Sequence, residues 1–153
     1  MIEIKDIIIA INDLLDKNFP DIERQSTDIR QGFTRPCFYV ELDRTTSSKV
    51  NTQIRDSIIS IRIYYFPKDE YNNRIELFDM QSKLEDIFLE GLWINPSFFM
   101  PHFQQDGTDD GLDFITVDGV LQLQFYLYSA QKIEDTTPYE PLENLNTNIT
   151  RKG

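Results

Sequence analysis

Between residues 2 and 18, Ile4, Ile7, Ile8, Ile11, Leu14 and Leu15 return at steps of three and four, and Lys5, Asp6, Asn12, Asp13, Asp16 and Lys17 fill most of the opposite arc. That period predicts an amphipathic helix. Asn18-Phe19-Pro20 ends it, because the residue before a proline avoids helical dihedrals. Extended segments follow. Residues 22–27 read as a short strand. Residues 36–43 read as another, with Cys37, Phe38, Tyr39 and Val40 behind Pro36, which suits a first strand position where a missing N–H costs little. The polar residues 44–49 read as a loop. In residues 51–66, Ile54, Ile58, Ile59, Ile61, Ile63 and Tyr65 are β-branched or aromatic, with Ser60, Arg62 and Tyr64 between them, and a strand is predicted.

The second half repeats the order. Residues 72–90 present Leu77, Met80, Leu84, Ile87 and Phe88 on one helical face, with Gly91 standing where a C-terminal cap would go. Residues 93–103 are aromatic and punctuated by proline, and one strand is expected there. Residues 104–111 form a loop rich in Gly and Asp. Asp118-Gly119 is a strong hairpin signal between residues 112–117 and 120–132. In the second arm Leu121, Leu123, Phe125 and Leu127 share one face, and Gln122, Gln124, Tyr126 and Tyr128 share the other. After Ile133 periodicity stops, and residues 134–153 carry Pro138, Pro141 and many polar side chains. Such a segment buries too little apolar surface to offset its ordering, so a mobile tail is expected beyond a single domain at residues 1–133. The class predicted is α+β: a mixed, mainly antiparallel sheet of about five to six strands with both helices on one face.

Charge narrows the function. Fifteen Lys and Arg against 26 Asp and Glu leave a formal net charge of −11 in 153 residues. Proteins that grip phosphate need clustered cations, so nucleic-acid binding is not expected. The single cysteine, Cys37, excludes an internal disulfide and a thiolate-cluster zinc site. The longest apolar run, Ile7 to Ile11, is far short of the ~20 residues of a membrane helix, and the first residues lack the features of a secretory leader. A cytoplasmic protein without a membrane partner is therefore expected.

Chemistry is sparse. His102 is the only histidine, and Cys37 lies in an apolar strand, where a thiol is usually packing. There is no Gly-rich phosphate loop or nucleophile elbow. Asp106, Thr108, Asp110 and Gly111 match the opening of a calcium loop, but Val117 stands where the bidentate Glu belongs, so an acidic turn is expected. No cofactor and no catalytic residue are predicted. Tyr126 and Tyr128, on the polar side of the last strand, suit a protein–protein surface, where tyrosine is enriched.

Gln31-Gly32-Phe33-Thr34-Arg35-Pro36-Cys37-Phe38, then Ile63-Tyr64-Tyr65-Phe66-Pro67, the helix with Leu84 and Ile87, and Val117-Asp118-Gly119-Val120-Leu121 occur in an order that resembles the tail terminator proteins of phages and prophages of Gram-positive bacteria. The likeness covers approximately residues 1–132. Gln122 and Gln124 depart from the more apolar or aromatic last strand of that family. The resemblance implies a structural protein that forms a ring, commonly a hexamer, on the head-proximal end of the tail tube. The ring ends tube growth and docks head-completion proteins. It implies assembly in the host cytoplasm and residence at the tail–neck junction.

Within that picture Asp106, Asp109 and Asp110 are expected to face a lumen through which DNA passes without specific binding. Arg44, Thr45, Thr46, Lys49, Tyr126, Tyr128 and the tail are expected to meet a neighbouring subunit or the tube. Another head–tail connector or neck protein is the alternative within the same class, and a small ligand-binding module is the alternative outside it. Oligomeric state separates those two classes.

Overall fold

The computed structural model describes residues 2–25, 34–103 and 111–133. The expected tail at residues 134–153 lies outside them. Helix α1 (Ile4–Asn18) begins where the Glu3 N–H donates to Asp6 Oδ2 at 2.8 Å, satisfying a helix-terminal donor. It ends where the Phe19 N–H returns to the Leu15 carbonyl, with Pro20 next. Ile7, Ala10, Ile11 and Leu15 are buried, at the spacing the sequence predicted.

Strands β1 (Glu23–Gln25), β2 (Cys37–Lys49) and β3 (Ile54–Phe66) precede helix α2 (Arg74–Phe88). After it come β4 (Gly91–Asn95), β5 (Phe98–Pro101), β6 (Asp113–Val117) and β7 (Val120–Lys132). Five strands make one sheet in the order β1-β2-β3-β7-β6, and β4 with β5 makes a separate hairpin. Only β1 against β2 is parallel; every other pair is antiparallel. The α+β class and the mixed sheet are as predicted.

Both helices pack on one face of this sheet. Ile59, Ile61 and Ile63 of β3 and Leu121, Leu123, Phe125 and Leu127 of β7 lie in one core with the apolar stripes of α1 and α2. Phe88 of α2 stacks on Phe125 with ring centroids 5.4 Å apart. Glu76 of α2 accepts from the Tyr65 hydroxyl at 2.5 Å and from the Lys68 N–H at 2.7 Å, which ties the helix start to the end of β3. The β6–β7 turn places Asp118 at φ 52° and Gly119 at φ 76°, the two left-handed residues a type I′ hairpin requires.

Three local expectations are corrected. Residues 44–49 are no loop: they continue β2, paired from Arg44↔Ser60 to Lys49↔Arg55. A bulge between Leu42 and Arg44 and a run of Thr and Ser erase the alternation that marks a half-buried strand. Strand β3 starts at Ile54 because Asn51 Oδ1 accepts the N–H groups of Gln53 and Ile54 at 2.7 and 2.9 Å, closing a side-chain turn ahead of it. Residues 93–103 hold most of two strands, not one. They pack inward through Leu92 and Met100 and leave Trp93 exposed against Phe99. Gly91 opens β4 at φ 126° and is not the cap of α2. That end is held instead by His102, whose Nε2 donates to the Phe88 carbonyl at 2.6 Å, a favourable partner for a helix's last carbonyls.

Candidate functional site

The sheet face away from the helices has no helix or strand over it among the described residues. Cross-strand register arranges its side chains in rows. Tyr39, Tyr64, Gln122 and Ile115 form one row, and Glu41, Arg62, Gln124 and Asp113 the next. Arg44, Ser60 and Tyr126 follow, then Thr46, Ile58 and Tyr128.

Polar groups on this face bond to one another. Arg62 donates through Nη1 to Gln122 Oε1 at 3.0 Å and through Nη2 to Asp43 Oδ2 at 3.3 Å. Gln124 Nε2 donates to the same Asp43 oxygen at 3.3 Å and to Ser60 Oγ at 3.1 Å. The Tyr64 hydroxyl donates to Glu41 at 3.2 Å, and the Tyr128 hydroxyl to Asp56 at 3.2 Å. Burial, and then the Glu41 carboxylate, push the Tyr64 phenol above its ordinary pKa, so it stays a neutral donor at physiological pH. The Arg62–Asp43 pair is partly exposed, and such pairs contribute at most ~1 kcal/mol. The network sets side-chain orientation more than stability.

Four of the contact residues predicted from sequence meet on this face: Arg44, Thr46, Tyr126 and Tyr128. Thr45 and Lys49 belong to β2 but point to the opposite side, in register with Ile59 and Arg55. Asp106, Asp109 and Asp110 lie outside the described residues. The network members Glu41, Asp43, Arg62 and Tyr64 were not singled out from sequence. The out-facing half of the alternation in β3 was the signal for Arg62 and Tyr64, whereas Asp43 enters only through the bulge. Gln122 and Gln124, noted as departures in the last strand, supply the amides that bridge β7 to β3 and β2.

Cys37 and His102 are not brought together. Cys37 registers with Phe66 of β3, and His102 bridges Leu127, which registers with Ile59. Seven positions along β3 place them roughly 23 Å apart in the strand direction. Burial pushes the Cys37 thiol up to about 11, leaving it protonated at neutral pH and a weak nucleophile.

The geometry defines a small α+β domain with one helix-covered sheet face and one bare, hydrogen-bonded face carrying tyrosines. Residues 6–139 match a family model described as phage tail terminator protein. The chain belongs to that family, as its sequence motifs suggested. A search of curated proteins finds no match. Membership makes this a structural protein of phage tail completion, a component of the virion tail that interacts with other tail or head components. Among the described residues no helix is long and apolar enough to cross a membrane.

Proposed function

We propose that this chain performs no reaction and instead closes into a ring, hexameric as is common among tail terminators, on the head-proximal end of the tail tube. There it ends tube growth and offers the surface on which head-completion proteins dock. Assembly takes place in the host cytoplasm, before the ring becomes part of the tail–neck junction. Family membership over residues 6–139 is the observation that carries this reading. Two further features support it. The bare sheet face is rich in tyrosine and arginine, residue types enriched where proteins meet. The net charge of −11 on each copy would let DNA pass without adhering, since like charges repel within about a Debye length of ~8–10 Å.

The test is tube growth. Tail tubes polymerised from tube protein, with and without this chain, are imaged by electron microscopy. The expected result is a ring of density at one end and arrested elongation on addition of the chain. Tubes that keep growing with bare ends would overturn the reading. Binding to head-completion proteins without any effect on tubes would move the chain to the neck.

A further inference from the structure

We propose that copies of this chain join edge to edge, β6 of one copy against residues 44–48 of β2 in the next, so that the five-stranded sheet continues from subunit to subunit. This rests on the ring reading above and names the interface that builds the ring.

Among the described residues no further strand pairs with either edge of the sheet. Strand β1 covers β2 at Cys37, Phe38 and Tyr39, so residues 40–49 have, among the described residues, a strand on one side alone. Strand β6 pairs with β7 and with no other described strand. An open edge presents unpaired N–H and C=O groups, and proteins ordinarily guard it with lysine, proline or a bulge. The β6 edge has none of these. It exposes Ile115 at 55% and Val117 at 42%, two β-branched apolar side chains on a pairing-competent strand. The β2 edge has its bulge between Leu42 and Arg44, and beyond that the register with β3 is unbroken from Arg44↔Ser60 to Lys49↔Arg55. That straight segment is long enough to pair with the whole of β6.

Direction and face agree as well. β2 is antiparallel to β3, β3 to β7 and β7 to β6, so β2 and β6 run in opposite senses within one copy. Rotation about an axis along the strands preserves those senses, and β6 meets the next β2 antiparallel. The contact is heterologous, the kind that closes into a ring when its rotation permits. Keeping the bare face continuous requires like-facing residues to oppose one another. Arg44, Thr46 and Ser48 then stand opposite Val117, Ile115 and Asp113. In that register Asp113 falls at the Lys49 end and Asp118 at the Arg44 end. No ion pair to a described residue engages any of these four charges. Asp43, beside Arg44, is already engaged by Arg62 and Gln124.

Thr46→Cys in one chain and Ile115→Cys in another test the pairing, because directly opposed strand positions lie within reach of a disulfide. The two variants are mixed, assembled on tail tubes and mildly oxidised. The expected products are mixed 46–115 dimers, and a chain carrying both substitutions should give a ladder ending in a covalent ring. Ile115→Lys, at an exposed position, should keep the unsubstituted melting temperature and lower ring occupancy of tube ends at least tenfold. Rings seen by microscopy without the 46–115 cross-link would overturn the interface and leave the ring reading standing. Equal cross-linking of like positions, or linkage of the Ile115→Cys thiol to tube protein, would overturn it too. Absence of rings with the unsubstituted chain overturns the ring reading, and this interface with it.

Discussion

The two faces of the five-stranded sheet are built from alternate residues of the same strands, yet they do different work. On β3, Ile59, Ile61 and Ile63 are sealed under the helices, while Ser60, Arg62 and Tyr64 between them face the bare side. On β7, Leu121, Leu123, Phe125 and Leu127 are sealed, and Gln122, Gln124, Tyr126 and Tyr128 are not. Each fully buried apolar side chain contributes about 1.5–3 kcal/mol. A partly exposed hydrogen bond or ion pair of the bare face contributes about 0–1.5 kcal/mol. Folding free energy is therefore concentrated on the inner face, and the outer face and open edges are free to be shaped for partners. Substitutions on the two faces should separate folding from assembly.

The strongest way to break that contrast is Phe125→Ala. Its ring stacks on Phe88 and meets His102 edge-on at 5.4 Å, and truncation should cost about 3–5 kcal/mol in denaturant unfolding. A loss below 1 kcal/mol would show that the inner face is not where stability resides. Gly91→Ala should cost about 1–3 kcal/mol. Its backbone sits at φ 126°, and an added Cβ would collide with the Met100 carbonyl.

A smaller effect follows from Cys37. Its thiol is raised in the folded chain from 9.0 to about 11. Below pH 9 both states keep the proton. Between pH 9 and about 11 the unfolded chain ionises and the folded one does not, so stability falls as pH rises through that window. Cys37→Ala should flatten this part of the stability–pH profile, and an unchanged slope would contradict the buried placement. Least affected should be the bare face. Tyr128→Phe and Arg62→Ala should each change folding stability by no more than about 1 kcal/mol, measured by thermal melting, and larger losses would make that face part of the folding core.

Much of this architecture can be read along the chain. The three- and four-residue steps of α1 and the twofold alternation of β3 and β7 each record one covered face. Asp118-Gly119 marks its hairpin by residue type alone. Residues 44–49 escape the same reasoning because neither side of β2 there is apolar: they run as a strand through backbone pairing to β3, which leaves no hydrophobic period. The β4–β5 hairpin is hidden by Pro96 and by a register shift between Trp93 and Asn95. Strand order depends on pairings distant in sequence, such as Tyr65↔Leu121. The candidate site was half visible. Tyr126 and Tyr128 stood out as aromatics on a polar face, whereas the bond from Gln124 to Asp43 joins residues 81 positions apart and needs the folded register to exist.

Hydrogen–deuterium exchange of the chain, free and bound to tail-tube ends, tests most directly whether the sheet's open side and edges are what joins it to its neighbours. Amides of residues 44–48 and of β6 should gain protection on assembly, while those of α1 and α2 exchange as before. Protection confined to the helices, with both sheet edges unchanged, would contradict the account.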